Sequence, residues 1–154
     1  MKFKHYKSDI SEIIKGIGLD ALKLRNKNIL LVGANGFLGK YFVKFFEKIL
    51  EEKKIKFSLD CFDNHISSKK SEYKDLSKAK QIKFYNADIN NTILKKKYHF
   101  IIYLAGIASP FIYKKFPLQT LEVSYTGVKK LLEKSKKNKS KFIFFSSSEI
   151  YGNP

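Results

Sequence analysis

The stretch Ile29-Leu30-Leu31-Val32-Gly33-Ala34-Asn35-Gly36-Phe37-Leu38-Gly39 decides the fold. Four apolar residues in a row, ending on glycine, read as a short strand buried on both faces. Downstream, Leu38, Tyr41, Phe42, Phe45, Phe46, Ile49 and Leu50 recur at steps of three and four and put one apolar stripe on a helix. A glycine triplet by itself marks only an ordinary turn. Set between a strand and an amphipathic helix it acquires a use. Gly33 permits the tight turn, Gly36 lets a pyrophosphate approach the backbone, and Gly39 lets the helix pack close to the sheet. The helix N-terminus offers unpaired N–H groups and partial positive charge to phosphates. The spacing is GxxGxxG rather than GxGxxG, but the strand, triplet and helix come in the required order. A dinucleotide site on Gly33, Asn35, Gly36, Phe37, Leu38 and Gly39 is the expectation.

Outward from this loop the pattern repeats. Phe57 to Phe62, Ile82 to Tyr85, Phe100 to Ala105 and Lys141 to Ser146 read as further strands, and residues 64–81 as a polar loop with a short helix. Leu118, Leu121, Tyr125, Val128, Leu131 and Leu132 mark one long helix before the fifth strand. Strands alternating with helices predict an α/β fold, a Rossmann-type doubly wound parallel sheet. Asp9 to Leu24 reads as an added helix with capping-box-like spacing of Asp9 and Glu12, and with Ile10, Ile13, Ile14 and Ile17 on one face. Residues 1–27 are thus expected as an N-terminal extension and 28–154 as the nucleotide-binding domain.

Length and charge fit one such domain. The chain has 154 residues and 44% hydrophobic residues, enough for one sizeable core and too many for a disordered polycation. Its net charge of +17 comes from 31 basic against 14 acidic residues. Arg25 is the sole arginine, however, and the lysines are dispersed, as in KILEEKKIK. Lysine lacks the planar fork that reads guanine and phosphate, so a solvated Lys-biased surface is expected rather than a nucleic-acid partner. The single cysteine, Cys61, excludes a disulfide framework and fits a reducing compartment. The longest apolar run is far short of a membrane span and the start lacks an apolar signal region, so a cytoplasmic protein with no membrane partner is expected. His5, His65 and His99 stand alone, and no metal site is expected.

Asp63 closes the second strand, 24 residues after Gly39. An acid there accepts hydrogen bonds from the adenosine ribose and repels a 2′-phosphate, favouring NAD over NADP. The bland alternative is a solvated loop acid, and Lys69 and Lys70 nearby keep NADP open. Asp88, after the third strand, is a candidate for the adenine edge or a plain turn residue.

Together these residues resemble the extended short-chain dehydrogenase/reductase, or NAD-dependent epimerase/dehydratase, family over Asn28 to Pro154. GANGFLG resembles its glycine motif. Cys61-Phe62-Asp63-Asn64 resembles its second-strand end, Ala87-Asp88-Ile89 its adenine contact, and Tyr103-Leu104-Ala105-Gly106 its fourth-strand end beside the nicotinamide ribose. The string LAGIASP, with Tyr113, and the string SSSEIYG resemble above all its branch that decarboxylates UDP-glucuronate.

The resemblance implies NAD as cofactor, a UDP-glucuronate-like nucleotide sugar as substrate, and a homodimer in the full-length form. It implies a first step that oxidises the sugar C4 hydroxyl, with Ser147 bonded to the same oxygen and Glu149 assisting decarboxylation. Ser109, Pro110, Tyr113 and Ser148 fall on substrate-contacting positions. A 4,6-dehydratase or a 4-epimerase shares the C4 oxidation and stays open, as does a non-catalytic dinucleotide- or polyanion-binding module.

Two positions depart from the family. Ser124 stands where Asn is frequent, and Tyr103 where His is common. The family's catalytic Tyr-x-x-x-Lys helix follows the serine string, and this sequence ends at Pro154, so no turnover is expected of the 154-residue chain alone. Tyr125 and Lys129 have the spacing but precede Ser147.

Overall fold

A computed structural model describes residues 6–66, 68 and 76–152, with Tyr6, Lys7, Ser148 and Glu149 described by backbone alone. The chain order is α1 (Tyr6–Ile17), a 3-10 segment (Gly18–Leu24), β1 (Asn28–Val32), α2 (Phe37–Glu52), β2 (Ser58–Asp63) and β3 (Ile82–Asn86). Then come β4 (Phe100–Tyr103), α3 (Pro110–Lys115), α4 (Pro117–Ser124), α5 (Thr126–Asn138), β5 (Lys141–Phe144) and a last 3-10 turn (Ser148–Tyr151). All strands are parallel, in the order β3-β2-β1-β4-β5. The sheet is doubly wound, with its direction of growth reversing between β1 and β4. That reversal opens a crevice at the carboxyl edge, where ligands of such sheets sit.

The alternation along β1 explains the two cores. Ile29 and Leu31 face one side, with Leu59, Cys61 and Ile102, and are covered by Val43, Phe46 and Ile49 of α2 and by Ile10 and Ile14 of α1. Leu30 and Val32 face the other, with Phe62, Ile101 and Tyr103, under Leu131 of α5. Both faces are covered, so β1 reads as an unbroken apolar run.

Four expectations need correction. The N-terminal helix begins before Asp9 and ends at Ile17, because Gly18 turns into the left-handed region (φ +49°). Asp9 accepts a hydrogen bond from the Tyr41 hydroxyl at 3.0 Å, which ties α1 to α2, and Ile13 faces solvent. In α2 the buried line runs through Gly39, Val43, Phe46 and Ile49, while Leu38 is exposed.

The long helix of residues 118–132 is two helices, α4 and α5, broken at Tyr125. The buried Tyr103 hydroxyl donates to the Val123 carbonyl, taking an acceptor from the helix ladder, and such insertions kink helices. Gly127 faces that hydroxyl, and a Cβ there would overlap it. Leu118, Leu121, Tyr125 and Leu132 are exposed rather than core. Finally, β5 ends at Phe144, pairs among the described residues only with β4, and leaves Ile143 and Phe144 half-exposed. The short helix expected within 64–81 and the lysines at 69 and 70 lie largely or wholly outside the described residues.

A buried carboxylate went unremarked in the sequence. Asp60, in mid-β2, accepts from the Tyr98 hydroxyl at 2.8 Å and from Lys96 Nζ at 3.0 Å. Lys96 also donates to Ser58 Oγ, whose hydroxyl donates to Asn28. Burial, then the Asp60 carboxylate, pushes the Tyr98 phenol well above its ordinary range, so it stays a donor. Tyr98→Phe removes that donor from a buried charge and should cost about 1–3 kcal/mol, as read by urea unfolding.

Candidate functional site

The crevice at the carboxyl edge is an open cleft of about 580 Å3, its mouth included. Each wall is the end of a strand and the loop that follows it. Val32 and Gly33 follow from β1, Phe62 to Asn64 from β2, Ala87 to Ile89 from β3, and Leu104 to Ile107 from β4. Gly36 closes the floor at the start of α2.

The loop is held by its neighbours' backbone. Gly33 and Ala34 both donate to the Phe62 carbonyl, at 2.9 and 3.2 Å, and Leu104 donates to that of Val32 at 2.9 Å. Gly33 has φ +83°, and a Cβ there would lie 2.7 Å from the Ala105 nitrogen. Gly33 thus serves the contact between β1 and β4 as well as the turn. A Cβ on Gly39 would overlap the Gly33 carbonyl, with Ala34 backbone atoms at 2.6 Å. A Cβ on Gly36 would meet only the Gly33 carbonyl oxygen, at 3.3 Å, and its other side is the cleft. The first turn of α2 carries no acidic side chain, so its positive end is left for an anion.

Asp63 does two things at once. Oδ2 accepts from the Asn35 N–H at 2.9 Å and Oδ1 from the His65 N–H at 2.8 Å, while the residue lines the cleft. Ser68 Oγ also donates to Oδ1, at 3.5 Å, whereas Oδ2 keeps a further lone pair, so the carboxylate orients the glycine loop and still presents acceptor capacity. Asn64 Nδ2 reaches Asp88 Oδ2 at 3.4 Å, bringing the second- and third-strand candidates together.

Of the residues singled out in the sequence, Gly33, Gly36, Asp63, Asn64, Asp88, Ile89, Leu104, Ala105 and Gly106 line this one cleft. Asn35 and Gly39 are buried beneath it, and Asn35 Nδ2 donates to Ser68 Oγ at 2.9 Å and lies 3.0 Å from His65 Nδ1. Phe37 is exposed and packs edge-on against Tyr41 at 5.5 Å between ring centroids, outside the cleft with Leu38. Ser109, Pro110 and Tyr113 lie at the start of α3, and Ser147 follows β5 on the same edge of the sheet, none of them in the cleft wall. Ser148 and Glu149 open the last 3-10 turn, and their side chains lie outside what is described.

Sequence reasoning missed Val32, Ile66 and Val123 in the wall, and met Phe62, Ala87 and Ile107 only as members of motif strings. Their signal was only apolar character, which core residues share. Phe62 stacks on Tyr85 at 4.6 Å, a cross-strand pair that the register creates. Among the described residues no cluster of His, Cys, Asp or Glu could hold a metal ion, and no helix is long and apolar enough to cross a membrane.

Residues 29–154 match the NAD dependent epimerase/dehydratase family. The chain belongs to that family. UDP-glucuronic acid decarboxylase 5 of Arabidopsis thaliana is 28% identical over 129 residues, which cover 84% of this chain and 36% of the relative. UDP-N-acetylglucosamine 4-epimerase of Methanobrevibacter ruminantium, solved with UDP-N-acetylmuramic acid, superposes with a TM-score of 0.67 at 25% identity, covering 84% of this chain and 41% of that one. The Bordetella bronchiseptica enzyme WbmF, solved with NAD+, shares the fold with a TM-score of 0.65 at 22% identity, covering 82% of this chain and 38% of that one. The chain therefore spans well under half the length of the family members it matches. NAD is the cofactor of the family.

Proposed function

We propose that this chain supplies the NAD-binding part of a nucleotide-sugar enzyme, most like UDP-glucuronate decarboxylase. The observation that carries it is a cleft where only glycine fits at position 33 and Gly36 leaves the floor bare of side chain, with an uncompensated helix N-terminus below and two carboxylates on its wall. The fit to NAD is chemical. Gly33 and Gly36 and the first N–H groups of α2 suit a pyrophosphate, Asp63 suits ribose hydroxyls, and Asp88 with Ile89 suits an adenine edge. Leu104, Ala105 and Gly106 suit the nicotinamide half. When bound, NAD supplies a reversible hydride acceptor.

The remaining residues act on the sugar. Ser147, beyond β5 on the ligand edge, donates to the C4 oxygen and steadies charge that develops there. Glu149 serves the decarboxylation and protonation stages. Ser109, Pro110, Tyr113 and Ser148 hold the substrate. Relatives that decarboxylate UDP-glucuronic acid support this substrate class. The likeness to a 4-epimerase supports a second reading, in which C4 is oxidised and reduced without loss of carbon.

The test is to supply UDP-glucuronate to the full natural polypeptide containing this chain. Carbon dioxide and a UDP-pentose are expected. A C4 epimer without carbon dioxide would select the second reading, and no product from any UDP-sugar would overturn both.

A further inference from the structure

Lys130 lies on α5, behind the cleft and not in its wall. Its Nζ donates to the carbonyls of Ile89 at 2.8 Å, Asn90 at 2.7 Å and Thr92 at 2.8 Å. An ammonium has three N–H donors and no acceptor, so a single turn of chain saturates this one. Asp88 closes the same turn from within. Its Oδ1 accepts from the Asn90 N–H at 2.8 Å, and its carbonyl accepts from the Thr92 hydroxyl at 2.6 Å and the Asn91 N–H at 3.2 Å. From the cleft side Asn64 Nδ2 reaches the other carboxylate oxygen. One helical turn further on, Lys134 donates to the Leu94 carbonyl at 2.6 Å, so α5 grips the segment twice. Burial pulls the Lys130 ammonium below its ordinary range, while the Asp88 charge acts in the opposite direction.

We propose that Lys130 is a positioning residue for base selection: by fixing the 88–92 turn from behind, it holds the Asp88 carboxylate where it accepts from the exocyclic amine of an adenine in the cleft. The proposal rests on the nucleotide reading of the cleft given above. A carboxylate prefers an amino base to a keto base because the keto oxygen sets one acceptor against another. That preference lasts only while the carboxylate is fixed, since a mobile one swings away from the wrong base. A lysine that merely stapled α5 to the loop would contribute stability and leave base preference untouched.

Calorimetric titration of the chain with NAD and with its hypoxanthine analogue separates the two roles. The wild-type chain should prefer NAD by about tenfold or more, the worth of one well-made hydrogen bond to a charged acceptor. In K130M the preference should collapse toward unity while the analogue binds within about twofold of its wild-type affinity. K130R, which keeps charge and donors, should recover part of the preference. Amide exchange at Asn90, Asn91 and Thr92 should quicken in K130M while the strands stay protected. Should K130M fail to fold, K130Q, with two donors left, carries the same comparison. An undiminished preference in the variant overturns the role of Lys130 and leaves the nucleotide site standing. A wild-type chain that binds neither dinucleotide overturns the nucleotide reading, and the role of Lys130 with it.

Discussion

Valine in place of Gly36 should leave the fold standing and remove NAD binding. The backbone at Gly36 is extended (φ −69°, ψ 175°), a conformation that β-branched residues adopt without strain. A Cβ there meets one carbonyl oxygen, at 3.3 Å, and a shift of a few tenths of an ångström relieves it. The branched methyls must then occupy the cleft side, where the pyrophosphate has to approach the N–H groups of α2. The thermal midpoint should move by no more than a few degrees, whereas affinity for NAD should fall by about a hundredfold or more, beyond what a lost contact or two explains. Calorimetry beside a melting curve gives both numbers. Wild-type affinity in Gly36→Val would mean that the phosphates do not lie over this loop.

Gly39→Val should do the opposite and destroy the fold before binding becomes a question. Its Cβ would fall on the Gly33 carbonyl and within 2.6 Å of the Ala34 carbonyl carbon and oxygen. These are backbone atoms, fixed by the bonds that Gly33 and Ala34 make to Phe62. Relief requires α2 to lift from β1, which exposes Val43, Phe46 and Ile49. A loss of about 4 kcal/mol or more is expected, a large part of the stability of any domain this size. Circular dichroism and a urea titration should show a largely unfolded chain. A cooperative transition near the wild-type midpoint would refute the packing described for α2.

The contrast shows what was legible. Three glycines at equal spacing look alike in the sequence, and the strand–helix context alone marked them as a phosphate loop. Their separate duties depend on what stands opposite each Cβ. Gly33 faces Ala105, which is 72 positions away and is brought near by the pairing of β1 with β4. Asp63 and Asp88 were found because both follow strands that end at one edge. That Asp63 also holds Asn35 required the parallel register of β1 with β2, and that Asn64 bridges to Asp88 required that of β2 with β3. Much of the apolar wall was not legible, since Val32 and Val123 carry no sign distinguishing a cleft residue from a core one.

The helix misreadings have one cause. Periodicity reports which residues could share a face, and leaves open whether anything covers it. Leu118, Leu121, Tyr125 and Leu132 keep perfect helical spacing yet stand in solvent, because no element of the described structure covers that stripe. Asp9 and Glu12 have the spacing of a cap, yet Asp9 is taken by Tyr41.

By itself, then, the sequence determined the parallel α/β sheet, the position of the glycine loop and the strand ends where acids collect. Those follow from local rules: apolar runs, periodic stripes and glycines at turns. The tertiary structure alone decided that Gly33 also abuts Ala105, which apolar stripe is buried, and that Asp60 lies buried beside Lys96 and Tyr98. It also placed Lys130 against three carbonyls about forty positions upstream. These depend on contacts between residues far apart in the chain, and pairing register and helix docking set such contacts without leaving a periodic trace.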